Sequence, residues 1–211
     1  MRNNTRPPCE RAESQAAPKA SALPRCRCPE GVGASLPTTA MGRGYPPAMT
    51  PFGLRRIVKN ALGLAGKSPL KPGDAAPSLD VADATGKCWS LSELRGRKAV
   101  IYFYPKDDTP GCTREACDFR DQHATLDAVV LGVSGDDAQS HTAFAHKFNL
   151  AFPLLADTDG ALASRYGCWS DGAALRATFV LDREGRISHV FDPVKVDGHV
   201  GEVKAALNAL P

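Results

Sequence analysis

Ala99-Val-Ile-Tyr-Phe-Tyr-Pro105-Lys-Asp-Asp-Thr109-Pro-Gly-Cys112-Thr-Arg-Glu-Ala-Cys117-Asp-Phe-Arg-Asp121 is the stretch that decides the fold. Ala99 to Tyr104 is an unbroken apolar, β-branched and aromatic run stopped by Pro105, the pattern of a strand buried on both faces in a parallel or mixed sheet. A short polar turn follows. From Thr109 the period changes: Cys112, Ala116, Phe119, His123 and Leu126 recur at spacings of four, three, four and three, one face of a helix. Thr109 is suited to cap the first N–H groups, and Pro110 is tolerated in a first turn, where its missing N–H has no partner to lose. Cys112 is thus delivered to the first turn of a helix at the end of a buried strand. Unpaired backbone N–H groups and the positive end of the helix dipole favour a thiolate there, and the thiolate is the nucleophilic form.

Cys117 lies five residues on. In an ideal helix that spacing separates the Cα atoms by roughly 8–9 Å, whereas a disulfide needs less than about 7 Å. The two cysteines can join only if the first turns unwind, which would couple oxidation to local unfolding.

The segment Tyr-Phe-Tyr-Pro-Lys-Asp-Asp-Thr-Pro-Gly-Cys-Thr-Arg-Glu-Ala-Cys-Asp-Phe-Arg-Asp resembles the active-site signature of peroxiredoxins, specifically the Q-type or bacterioferritin-comigratory (BCP) group, to which a second cysteine five residues on points. Pro72-Gly73-Asp74-Ala75-Ala76-Pro77, Ser90-Leu91-Ser92-Glu93-Leu94 and Arg176-Ala177-Thr178-Phe179 also resemble that family, so the likeness spans about residues 70–209. The resemblance implies a thioredoxin-like fold, a three-layer α/β/α sandwich on a central mixed sheet. It also implies a thiol-dependent peroxidase acting on hydrogen peroxide and organic hydroperoxides. Cys112 would be the peroxidatic cysteine and Cys117 the resolving one. Arg176 would hold the thiolate and peroxide, and Thr109 would donate its hydroxyl to the peroxide. Pro105, Pro110 and Glu115 would support them, Pro110 by shielding the sulfur and Glu115 by orienting Arg176. Thioredoxin or a similar dithiol would restore the thiols, with no cofactor and no metal, and a monomer is expected. Between Tyr166 and Arg176 the chain departs from the family pattern with a shorter loop that contains Cys168, an alternative resolving thiol.

The net charge of +3 hides a division. Residues 1–67 hold eleven Lys/Arg and three Glu (+8), residues 68–211 fifteen Lys/Arg and twenty Asp/Glu (−5). A mildly acidic domain argues against a nucleic-acid surface, and no apolar run approaches the ~20 residues of a membrane span. Seven scattered cysteines suit a reducing compartment with one redox-active pair rather than a secreted disulfide framework. Residues 1–67 read as a basic, disordered extension. They would be either a transit peptide leading to an organelle or an over-long reading frame before Met41 or Met49 of a cytoplasmic protein. Phe52 to Gly66 is a candidate basic amphipathic helix. Cys9, Cys26 and Cys28 fit no common zinc spacing.

In the 68–211 domain, Leu79 and Val81 suggest a short strand, Ala84 to Lys87 a hairpin turn, and Ser90 to Leu94 a capped helix. Strands follow at 128–133 and 152–155, and helices at 138–148 and from Gly160 through Tyr166. Thr178 to Leu181 and Ile187 to Phe191 form a hairpin around Asp182-Arg-Glu-Gly-Arg186, and Val200 to Leu210 closes the chain as a helix. Cys88 reads as structural. His123 belongs to the buried face of the first long helix, while His141, His146, His189 and His199 read as solvated or capping. Two other functions fit the same fold, a thiol–disulfide oxidoreductase and a redox-sensing module. The first has no Cys-x-x-Cys to support it.

Overall fold

The computed structural model describes residues 68–211, so the amphipathic segment at 52–66 and the cysteines at 9, 26 and 28 lie outside the described residues. Ala99–Phe103 (β3) is the middle strand of a five-stranded sheet ordered β5-β4-β3-β8-β9. Val129–Ser134 (β4) and Leu154–Ala156 (β5) run parallel to it, Ala177–Leu181 (β8) runs antiparallel to it, and Ile187–Phe191 (β9), antiparallel to β8, returns to its direction. The sheet is therefore mixed. All five residues of β3 are buried, as its lack of alternation requires of a strand covered on both faces.

The pleat sorts that strand into two cores. Ala99, Ile101 and Phe103 point to one side with Leu131, Phe179, Leu162, Tyr166 and Cys168. Val100, Tyr102 and Tyr104 point to the other with Cys112, Ala116, Phe119, Phe144 and Val203. Three helices cover this second face: Pro110–Gln122 (α1), Ala138–Phe148 (α2) and His199–Asn208 (α4). The first face is covered by the five-residue helix Ala161–Arg165 (α3), a 3-10 turn at Leu91–Leu94 and the hairpin of Val81–Ala82 (β1) with Cys88–Trp89 (β2). Gly132 in β4 is required by close approach, because an added Cβ would meet the Tyr102 ring and hydroxyl at 2.7–2.8 Å.

Elements with strong local signals appear where the sequence puts them, α2 and β9 to the residue. Three expectations need correction. The strand near residue 80 is only Val81–Ala82, because Asp80 takes φ +45° and breaks the extended run, leaving Leu79 as a fully buried core residue. The shorter loop expected before Arg176 is itself a small hairpin. Trp169–Ser170 (β6) and Ala173–Ala174 (β7) pair across Asp171-Gly172, both at positive φ as a tight hairpin turn demands. His141 and His199 are buried rather than solvated, at 0% and 1% exposure.

Candidate active site

The site forms where β3 ends and α1 begins. In the antiparallel register Phe103 faces Ala177, so the residue before Ala177 lies at the mouth of the β3–α1 turn. That residue is Arg176. One arm of its guanidinium, Nη2, donates to Cys112 Sγ at 3.1 Å, and the other, Nη1, donates to Glu115 Oε2. Spacing alone does not join residues 112, 115 and 176; the β3–β8 pairing does.

Cys112 occupies the first turn of α1 and is 2% exposed. Glu115 is one turn further along, fully buried, with its second carboxylate oxygen unpartnered. Burial pushes its carboxyl up to about 7 while the Arg176 charge pulls the other way. Burial lowers the Arg176 guanidinium, but the charges of Glu115 and Cys112 outweigh it and raise it above its ordinary value. Arg176 thus stays cationic against the sulfur.

Thr109 precedes α1, but its side chain does not cap the helix. The hydroxyl donates to the Lys106 carbonyl at 3.1 Å, and the backbone carbonyl takes the Thr113 N–H at 2.8 Å. Thr109 is therefore not the free donor the resemblance implies: with its hydrogen so engaged, Oγ1 keeps its lone pairs for an incoming O–H donor. Pro110 is the first helical residue and is exposed, and Pro105 ends the strand. Beside Pro110 and Gly111 opens a cavity of about 470 Å³, walled on its far side by Lys195, Val196 and Asp197. Arg114 on the same wall pairs with Asp197 at 2.9 Å, an exposed contact of little energetic weight.

Cys117 is 4% exposed and shares the unbroken helix α1 with Cys112. It is disulfide-bonded, as is Cys88, but not to Cys112, which carries no disulfide. Cys168 belongs to the core on the opposite face of the sheet from Cys112. The sheet stands between the two sulfurs.

Two groups near the site were not singled out from sequence. His199 Nε2 lies 2.9 Å from the Thr178 hydroxyl, and its ring meets Phe119 and Phe191 edge-on at 6.1 and 5.2 Å. Burial, and then the Arg176 charge, lower its imidazole to about 4. Asp107 in the β3–α1 turn is buried against Tyr104, Ser140 and His141. The sequence signal for His141 was present, since it lies three residues before the inward-facing Phe144 on α2. Among the described residues, the buried side-chain polar atoms without a hydrogen bond are Tyr102 Oη, Glu115 Oε1 and His199 Nδ1. All three belong to elements packed on the Cys112 face. Such concentration of unmet polar groups is expected of a functional site and not of a core built for stability alone. Among the described residues, no set of three or more His, Cys, Asp or Glu is placed to hold a metal, and no helix is long and apolar enough to cross a membrane.

Residues 72–190 match the AhpC/TSA family model. A putative peroxiredoxin bcp of Coxiella burnetii is 44% identical over 149 residues, covering 65% of this chain and 99% of that protein. Peroxiredoxin Bcp of Bacillus subtilis is 43% identical over 146 residues, covering 64% and 93%. Among solved structures, the bacterioferritin comigratory protein of Xanthomonas campestris, studied for alkyl peroxide reduction, superposes with a TM-score of 0.61 at 37% identity over 68% of this chain and 98% of that one. Peroxidoxin BcpB of Mycobacterium tuberculosis gives 0.63 at 33% identity over 67% and 99%. With its cysteine in the first turn of α1 and the arginine that precedes β8 beside it, the chain belongs to the AhpC/TSA family, as a peroxiredoxin of the Bcp/Q type.

Proposed function

We propose that this thiol-dependent peroxidase reduces hydrogen peroxide and organic hydroperoxides at Cys112. The observation that carries the reading is the Arg176 guanidinium 3.1 Å from the Cys112 sulfur in the first turn of α1. A hydroperoxide enters beside Pro110 and Gly111, and its O–H donates to Thr109 Oγ1. The sulfur attacks the near oxygen, so an S–O bond forms as the O–O bond breaks. Cys112 is oxidised to the sulfenic acid, and the departing oxygen leaves as alcohol or water after taking a proton. Negative charge grows on that oxygen in the transition state, and the fixed cation of Arg176 is already in place to meet it. Glu115 holds the guanidinium from behind, and Pro110 stands on the solvent side of the sulfur.

In the reduced protein Cys117 then attacks the sulfenic sulfur, forming the S–S bond and releasing water. An intact α1 keeps the two sulfurs apart, so the first turns unwind for this step. Both cysteines lie on one helix and no second subunit is needed, which supports a monomer. Thioredoxin or another dithiol returns the disulfide to two thiols. The scattered, odd cysteine count suits a reducing compartment, either the cytoplasm or an organelle reached through residues 1–67.

Hydroperoxide consumption coupled to thioredoxin oxidation tests the reading. Wild type turns over, Cys112→Ser does not, and insulin disulfides are not reduced. Stoichiometric oxidation without turnover would point to a sensor instead.

A further inference from the structure

The β3–α1 turn is fastened to α2 at one residue. Asp107 is 7% exposed, and its Oδ1 accepts from the Tyr104 hydroxyl at 2.7 Å. Its Oδ2 accepts from the Ser140 hydroxyl at 2.7 Å and pairs with His141 Nδ1 at 2.9 Å. The His141 ring is fixed in turn by Nε2 on the Leu155 carbonyl at 3.1 Å. The Asp107 backbone N–H donates to Asp136 Oδ2 at 2.7 Å, which also takes the Ser134 hydroxyl at 2.8 Å. Burial raises the Asp107 carboxyl, but His141, Ser140 and Tyr104 together outweigh it and hold it below its ordinary value. Immediately afterwards Asp108 takes φ +55°, and its outer contact is an exposed pair with Lys147 at 2.7 Å. At the far end of the reactive stretch, Arg120 Nη1 donates to the Phe148 carbonyl at 2.7 Å. Both cysteines therefore lie between two moorings on α2, and the buried one is Asp107.

We infer that Asp107 is a positioning residue whose latch on Ser140 and His141 sets how often the 108–117 stretch leaves its helical form. The latch thereby sets how the Cys112 sulfenic acid divides between its two fates. One is attack by Cys117, which forms the S–S bond and releases water. The other is attack on a second hydroperoxide, which adds an oxygen to give the sulfinic acid and releases alcohol or water. The first needs α1 unwound and the second needs Cys112 in place beneath Arg176. A latch that favours the folded turn speeds reaction with peroxide at both stages and delays bridging. Loosening it lowers the folded share, so peroxide reacts more slowly while bridging speeds up in proportion to the unwound share. This inference rests on the proposed roles of Cys112 and Cys117.

The test uses the reduced full chain as wild type, Asp107→Asn and Ser140→Ala, mixed rapidly with excess hydroperoxide, acid-quenched and analysed by intact mass. Losing buried hydrogen bonds of this kind is expected to lower sulfinic acid per turnover about tenfold in Asp107→Asn and about threefold in Ser140→Ala, with a faster bridging rate constant in both. A merely structural contact would reduce the reactive fraction of protein without altering this ratio. An unchanged or increased ratio of sulfinic acid to bridge overturns the inference, and Ser140→Ala decides it if Asp107→Asn does not fold. If wild type forms neither product at Cys112, the proposed function itself fails; if wild type bridges and the variants match it, only the latch fails.

Discussion

Replacing Glu115 by glutamine should make the protein's stability rise with pH relative to wild type. Glu115 is fully buried, one carboxylate oxygen on Arg176 and the other unpartnered. Burial raises its carboxyl from 4.5 to about 7, against the pull of Arg176. The native state therefore keeps a proton that the unfolded chain releases above 4.5, and stability falls as pH rises from 4.5 to 7. The difference corresponds to about 3 kcal/mol. His199 has the opposite sign. Burial, with Arg176 adding, lowers it from 6.5 to about 4, so the unfolded chain takes up a proton that the native state refuses. Stability is then lost as pH falls from 6.5 to 4, again by about 3 kcal/mol. Between 4.5 and 6.5 the two slopes oppose each other. In Glu115→Gln nothing at residue 115 opposes the His199 slope, and relative to wild type its stability should rise by about 3 kcal/mol from pH 4.5 to 7. Urea unfolding of the reduced protein from pH 4 to 8 measures this. The variant-minus-wild-type comparison removes the contributions of Asp107, Asp118 and Asp157, which both proteins share. His199→Gln should show the reverse: relative to wild type its stability falls as pH rises from 4 to 6.5. A Glu115→Gln profile parallel to wild type would refute the reasoning.

Arg176→Met should leave the fold intact and lower kcat/KM for hydroperoxides by about 10²–10³, the usual effect of removing one preorganised charge-stabilising donor, measured by stopped flow. Cys168→Ser should leave the Cys112–Cys117 bridge in peroxide-treated protein unchanged, because the sheet separates Cys168 from the site; a bridge lost in this variant, seen by peptide mass mapping, would reverse that conclusion. Phe119→Ala should cost about 3–5 kcal/mol in urea unfolding, since its ring is fully buried and stacked 4.7 Å from Tyr102.

The β3–α1 turn was legible because its signals are local: an unbroken apolar run, a proline stop and a switch to helical spacing at Thr109. The hairpin over residues 169–174 reads only as a shorter loop, although Asp171-Gly172 carries the signal of a tight turn. What lies across the sheet was not legible. Arg176 meets Cys112 through the pairing of β3 with β8, which no spacing encodes, and only the family resemblance anticipated it. Cys168 lies in the core on the opposite face of the sheet from Cys112, and the two faces of β3 are equally apolar, so the sequence does not tell them apart. Asp107 and His141 are 34 residues apart and look like ordinary polar residues of a turn and a helix until packing buries both. Thr109 has the composition of a capping residue, yet its hydroxyl turns back to the Lys106 carbonyl.

The central claim is that peroxide oxygen is taken up by the Cys112 sulfur under Arg176 and passed on through Cys117. Peptide mass mapping of fully reduced wild type and Cys117→Ser after one equivalent of hydroperoxide tests it most directly. The account predicts a 112–117 bridge in wild type and, in Cys117→Ser, oxygen retained on Cys112 alone. Oxygen on any other cysteine, or undiminished peroxide consumption by Cys112→Ser, would contradict it.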